Sequence, residues 1–355
     1  MGALVTIAML GLTACAANES PQANNGGESA ALAGNLIGAG ASSQGEAQNA
    51  WIASFLDVAS GVDVTYDPAG SGTGRENFQQ GASQYAGSDR AFKLDEIATG
   101  PFDACAVDSG LVELPAYISP IAVVFKLEGV ETLNLDADAL AGIFTGVITS
   151  WDDEAITSQN PGVQLPALSI TPVHRADKSG TTGNFTDYLD GASDAWPFGS
   201  VEEWPIDGGE AAPGTSGVVT AVSGGNGTIG YVDASRAAGL GTVNVKVGAD
   251  YVTYSPEAAA AVVDASQLEE GRGENDLAIS LDRGIDAAGV YPVVLVSYLI
   301  GCETYADPAV SPLVREFFSF VVSEEGQRIA AENSGSAPIS GELRERAQNA
   351  IDRIK

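Results

Sequence analysis

Hydrophobic positions along this chain come in short extended runs, each ending in a turn of small residues, with helix-spaced apolar positions beyond. Asn35-Leu36-Ile37 predicts a strand, closed by Gly38-Ala-Gly-Ala-Ser42-Ser43. Trp51, Phe55 and Val58 then share one helix face, with Gly61 as the stop. Val62–Tyr66 alternates as a strand and runs into Gly70-Ser71-Gly72-Thr73-Gly74, ahead of a short helix over Arg75–Gln80. Tyr85-Ala86-Gly87-Ser88-Asp89 reads as another strand end. Further on, Leu168–Val173 is extended, His174 to Thr182 forms a turn, and Phe185, Tyr188 and Leu189 keep helical spacing. Strand, small-residue turn, helix, repeated, predicts an α/β sheet with parallel strands. In such sheets ligands collect at the carboxyl ends of the strands.

The remaining runs divide the body. Tyr117–Phe125, flanked by Pro115 and Pro120, predicts an extended passage into a second lobe. There Asp138–Phe144 and the acidic Trp151–Thr157 read as helices, Val218–Val222 as helical and Ile229–Val232 as a strand. Val290–Ile300 is the most apolar run of the body, a buried strand expected to return to the first lobe. Leu313–Glu332 predicts one amphipathic helix, and Leu343–Lys355 a closing one. The expected lobes are therefore 34–118 with 291–355, and 119–290. No repeat is seen, and no body segment is long enough to span a membrane.

Charge and cysteines narrow the functions. A formal net charge of −31, from 47 acidic and 16 basic residues, excludes a nucleic-acid partner, which needs phosphate-neutralising cations. Any anion bound must be held by local dipoles and one or two cations, since the global field repels it. One histidine and three cysteines make a zinc site improbable, and neither metal nor cofactor is expected. Cys15 closes Leu12-Thr13-Ala14-Cys15 after the apolar run from Ala3 to Leu12. This resembles a bacterial lipoprotein signal over residues 1–15, with Cys15 lipidated. No Lys or Arg precedes the run, so the positive segment of such a signal is missing and the true start stands upstream or truncated. Residues 16–33, small and polar, predict a flexible tether. Cys105 and Cys302 are left either as a disulfide in an exported protein or as two buried thiols; the bridge is the expectation.

The candidate chemistry sits in the turns. In Arg175-Ala-Asp177-Lys-Ser179-Gly180-Thr181-Thr182, a helix start exposes unpaired N–H groups and the positive end of the dipole. Gly180 admits an anion close to the backbone, Ser179 and Thr181 add hydroxyl donors, and Arg175 supplies a planar charged fork, braced by Asp177. Gly225-Asn-Gly227-Thr-Ile-Gly230 fits a dinucleotide pattern but precedes a strand, so it reads as a tight turn. His174 lacks a nucleophile motif beside it. Asp152-Asp153-Glu154 reads as a solvated helix start.

Taken together, these turns resemble the phosphate-binding lipoproteins of bacterial phosphate ABC transporters, the PstS family. Gly38 to Ser43 is similar to that family's Gly-Ala-Gly-Ala-Thr-Phe loop. Tyr66 to Gly72, Gly87-Ser88-Asp89 and Arg175 to Thr181 resemble its other binding segments, and the match runs from Leu36 to Glu332. The resemblance implies a two-lobed periplasmic-binding-protein fold of type II, with an interlobe cleft and two hinge crossovers. It implies an exported, lipid-anchored monomer on the outer face of the cytoplasmic membrane that delivers inorganic phosphate to a permease and is not an enzyme. The ligand cage it implies is Ser42, Ser43, Ser71, Asp89, Arg175, Ser179, Gly180 and Thr181, with Asp177 behind Arg175. Ser43 stands where the family has Phe, leaving only its backbone N–H as the expected donor. Asp89 demands a proton from its ligand, which phosphate carries and sulfate does not. The alternatives are a binder of sulfate or molybdate, or a phosphatase using Ser71 or Ser179 as nucleophile.

Overall fold

The computed structural model describes residues 32–355. The signal segment with Cys15, and the tether as far as residue 31, lie outside the described residues; Ala33, placed in the tether by sequence, already belongs to a strand. The chain begins β1 (Ala33–Gly40), α1 (Gly45–Phe55), β2 (Gly61–Asp67), α2 (Ser71–Gln79), β3 (Tyr85–Ser88), α3 (Leu94–Thr99) and β4 (Leu111–Lys126). There follow β5 (Thr132–Leu135), α4 (Ala137–Phe144), α5 (Glu154–Thr157), β6 (Thr171–Arg175), α6 (Gly180–Ala192) and β7 (Glu210–Ala212). Next come α7 (Gly214–Gly224), β8 (Thr228–Asp233), β9 (Gly241–Val247), β10 (Asp250–Val252), α8 (Pro256–Ala265), β11 (Gln267–Leu268) and β12 (Ile279–Ser280). The chain closes with β13 (Val294–Cys302), α9 (Val310–Val322), α10 (Glu324–Ser334) and α11 (Gly341–Ile351).

The main sheet runs β2-β1-β3-β13-β4-β8-β6-β7, with β9 joining β4 to β5 and β10. β1 is parallel to β2 and β3, as helical crossovers require. The sheet is nonetheless mixed, because β13 arrives from the other half and lies antiparallel to both β3 and β4. β4 is the common element. Leu111–Pro120 pairs with β13, and Ile121–Lys126 pairs with β8. Every residue of β4 except Lys126 is buried, which is why it reads as an almost unbroken apolar run. Pro115, lacking an N–H, sits where the register slips: Tyr117 faces Ser297 and Pro115 faces Tyr298, so Ala116 is the extra residue of a bulge.

Aromatic side chains fill both halves. Phe55 packs edge-on against Phe317 at 5.3 Å between centroids, and Tyr85 meets Phe317 and Phe318. On the other side of β4, Phe144, Phe185 and Tyr231 form a triangle under α4 and α6. Three local expectations need correction. Val58 lies past the end of α1 and is exposed, so Trp51 and Phe55 carry the buried face instead. The second helix starts at Ser71 and not at Arg75, because the glycine turn itself is wound into it. The helix expected over Leu313–Glu332 is two helices. Ser323 adopts an extended backbone and its hydroxyl accepts from the Gly326 N–H, so it caps α10 and ends α9. Cys105 and Cys302 are joined by a disulfide across 197 positions of sequence, beside the end of β13.

Candidate anion site

The turns picked out by sequence meet where the two halves of the sheet face one another. The N–H of Gly72, in the first turn of α2, donates to the Lys178 carbonyl at 3.0 Å. The start of α7 reaches back to the first loop: the Thr215 N–H donates to Ser42 Oγ at 3.1 Å, and the two hydroxyls lie 3.0 Å apart. The N-termini of α2, α6 and α7 thus come together, each bringing the positive end of its helix dipole.

Asp89, just past β3, is the hub. Its Oδ1 accepts from the Ser43 and Ser297 hydroxyls, both at 2.6 Å, and its Oδ2 accepts from the Thr181 hydroxyl at 2.9 Å. Its backbone is held as well: its N–H donates to Ser71 Oγ at 3.2 Å, and Asn184 Nδ2 donates to its carbonyl at 2.7 Å. Burial raises the Asp89 carboxyl above the ordinary value, against the lowering by the Ser297, Ser43 and Thr181 hydroxyls and the Arg175 charge.

Arg175 ends β6, with a side chain only 2% exposed. Its Nε donates to Asp177 Oδ1 at 2.8 Å, and Nη2 donates to Oδ2 of the same carboxylate. This two-pronged pair fixes the plane of the guanidinium and leaves its other hydrogens as donors. The Gly214 N–H also donates to Asp177 Oδ1, at 2.8 Å. Burial works to raise the Asp177 carboxyl, but the Arg175 bonds and charge, with the Gly214 N–H, hold it below the ordinary value. The Ser179 hydroxyl accepts from the Thr182 N–H at 3.2 Å and so caps α6.

The structure therefore brings Ser43, Ser71, Asp89, Gly180 and Thr181 into one cluster, with Arg175 and Asp177 beside it. Ser42 stands at the α7 side of the same place, bonded to Thr215 and not to Asp89. Beyond the backbone N–H expected of it, Ser43 donates its hydroxyl to Asp89 Oδ1, an oxygen it shares with the Ser297 hydroxyl. Sequence reasoning missed Ser297, Gln44, Thr215, Asn184 and Glu202. Ser297 carried a readable signal, being the one serine or threonine inside the apolar run Val293–Ile300, where a buried polar group must find a partner. Glu202 carried none. It accepts from Arg75 at 2.6 and 2.8 Å and from Arg90 at 3.0 Å, tying α2 and the segment after β3 to the loop beyond α6. His174 lies flat on Trp204, 4.8 Å between ring centroids, with both ring nitrogens facing backbone carbonyls. Among the described residues no cluster of His, Cys, Asp and Glu has the makings of a metal site, and no helix is long and apolar enough to cross a membrane.

Buried charge, helix starts from both sides of one shared strand, and hydroxyls turned to a common centre define a two-lobed α/β binding protein. Residues 25–325 match the family model of the PBP superfamily domain. The chain is 31% identical to the phosphate-binding protein PstS2 of Mycobacterium bovis (strain BCG), over 99% of this chain and 98% of that one. It is 34% identical to phosphate-binding protein PstS 3 of Mycobacterium leprae, over 90% and 86% respectively. The chain belongs to the PstS family of this superfamily. Among solved structures, a high-affinity periplasmic phosphate-binding protein (PfluDING) bound with phosphate superposes with a TM-score of 0.73 at 22% identity, covering 89% of this chain and 93% of that one. A phosphate-binding protein from Stenotrophomonas maltophilia gives 0.66 at 21% identity, covering 89% and 94%. These two likenesses concern the fold.

Proposed function

We propose that this protein captures inorganic phosphate between its lobes, outside the cytoplasm, and delivers it to the permease of an ABC transporter. The observation that carries the reading is the pair Arg175 and Asp89, each 3% exposed, set against one group of hydroxyls at the meeting of three helix starts. The cation and the N–H groups of Ser43 and Gly180 draw an anion, with hydroxyls from Ser42, Ser71, Ser179 and Thr181 around it. A carboxylate in the same place repels any anion that has no proton to share. Phosphate near neutral pH has one; sulfate leaves two acceptors face to face. Hydrogen bonds involving charged groups contribute about 1.5–3 kcal/mol each, so a few account for micromolar binding near about −8 kcal/mol.

The two passages of chain, through β4 near Tyr117 and into β13 near Val290, act as the hinge between 34–118 with 291–355 and 119–290. Lipidation at Cys15 anchors a monomer to the outer face of the cytoplasmic membrane. The protein binds and releases without turning its ligand over. The test is calorimetric titration of protein stripped of co-purified anion, with phosphate and then sulfate at neutral pH. Tight phosphate binding with sulfate silent supports the reading; equal binding of both overturns the role of Asp89, and binding of neither overturns the ligand.

A further inference from the structure

We propose that Gln44 and Ser297 are positioning residues that hold Asp89 Oδ1 as a permanent hydrogen-bond acceptor, so that ligand protonation is read at Oδ2 alone. The argument is one of donor direction. Gln44 Nε2 donates to the Tyr298 carbonyl at 3.1 Å, and a carbonyl oxygen tolerates only a donor, so the amide orientation is fixed. The same Nε2 donates to Ser297 Oγ at 2.6 Å. An amide nitrogen does not accept, so the Ser297 hydrogen has to point away from it, onto Asp89 Oδ1 at 2.6 Å. The order continues backwards: Gln48 Nε2 donates to Gln44 Oε1 at 2.8 Å, and Tyr85 OH to Gln48 Oε1 at 3.2 Å. Four hydrogen bonds therefore run in one direction from the core of the first lobe and end on Asp89.

With Ser297 and Ser43 both on Oδ1, that oxygen has its ordinary complement of two partners. Among the described residues Oδ2 accepts only from Thr181, which leaves it one acceptor position. A proton on Oδ1 would meet the Ser297 hydrogen head-on. The other groups facing Asp89 do not undo this. Arg175, from β6, favours the carboxylate; Tyr66, from β2, is held neutral by burial; Arg75 and Arg90 are turned to Glu202. Gln44, Gln48, Tyr85, Asp89 and Ser297 are all buried, so water does not relieve a reversed bond. The inference rests on the phosphate reading only for the identity of the ligand.

The experiment follows the Asp89 carboxyl by carbon NMR across pH in the whole protein, assigned by loss of its signal in Asp89→Asn, and measures phosphate and sulfate affinity alongside. Ser297→Ala should raise the Asp89 midpoint by about one unit or more. Gln44→Met, which keeps the side-chain length without the donor, should move it the same way. As the carboxyl becomes neutral it no longer repels a proton-free anion, so the phosphate-to-sulfate affinity ratio at pH 6 should fall about tenfold. Ser297→Thr, which keeps the hydroxyl, should restore the wild-type midpoint. An unmoved midpoint in both Ser297→Ala and Gln44→Met overturns the proposal, as does a Ser297→Thr midpoint equal to that of Ser297→Ala. A wild-type protein that binds no phosphate overturns the functional reading instead, and the NMR midpoint still decides this one.

Discussion

A β-carbon on Gly180 would lie 2.6 Å from the Ser71 hydroxyl and 2.7 Å from the Asp89 β-carbon. Real β-carbons do not approach so closely, and although the Ser71 hydroxyl can rotate, the Asp89 β-carbon moves only with its backbone. Gly180→Ala should therefore leave the lobes folded but hold them apart. Alanine favours the helix by up to about 1 kcal/mol, so the melting temperature should stay level or rise while phosphate affinity drops at least tenfold, about 1.4 kcal/mol. Calorimetry beside a thermal melt separates the two effects. Retained affinity would show that the cleft does not close this tightly around its ligand.

Arg175→Ala should abolish most phosphate binding, since it removes the cation and leaves Asp177 without its partner. Asp177→Asn is the informative companion. It keeps the shape but loosens the guanidinium, and about a tenfold loss by titration calorimetry is expected. Full affinity in Asp177→Asn would mean that the strand end alone orients Arg175.

Glu202 joins the halves through Arg75, whose side chain is 3% exposed. Glu202→Gln strands that buried cation whenever the cleft is shut. Phosphate affinity should fall about tenfold, with faster ligand release seen by stopped flow. An unchanged release rate would exclude this pair from holding the closed form.

Asp233, at the end of β8 opposite Ile121 of β4, is fully buried, and its Oδ2 has no hydrogen-bond partner among the described residues. Burial pushes its carboxyl up to about 6, against the lowering by hydrogen bonds from Ser235 and Tyr117 to Oδ1. A raised folded-state pKa contributes stability below the unfolded value, near 4, and loses it as pH rises through about 6. Denaturant titrations should thus find the wild type gaining on Asp233→Asn by about 2–3 kcal/mol between pH 7 and pH 4, at about 1.36 kcal/mol per unit. A pH-independent difference would place the titration elsewhere.

Breaking the bridge by Cys105→Ser with Cys302→Ser should cost about 2–4 kcal/mol of stability in denaturant titration, given the long loop it closes. Phosphate affinity should not change, because neither cysteine touches the site. A loss below about 1 kcal/mol would mean that the neighbouring strands hold these ends without it.

The turns were legible because their chemistry is local. A helix start that must leave N–H groups open and admit an anion selects Gly, Ser and Thr, and these stand in sequence at Gly70 to Gly74 and at Ser179 to Thr182. The strands were legible from their apolar runs, though the antiparallel sense of β13 was not, since pairing direction leaves no trace in a sequence buried on both faces. The partners of Asp89 were beyond reach for another reason. Ser43 and Thr181 were named for what they offer a ligand, whereas their hydroxyls here serve a carboxylate. Ser297 reaches that carboxylate from 208 positions away, because β13 pairs with β3 in the register that sets Tyr298 opposite Ser88. The split of the long C-terminal helix at Ser323 turned on one cap, which an unbroken amphipathic pattern conceals.

The place of β13 between β3 and β4 has a consequence for how the molecule is made. The strands of the first lobe that emerge earliest, β1 to β4, cannot complete their sheet until nearly the whole chain exists, because the strand that seals two of their edges is among the last elements. Until then β3 and the front of β4 present open, apolar borders of the kind that template pairing with other chains. Synthesis of this protein therefore passes through a long interval in which half of it is obliged to wait, unfinished, for its own far end.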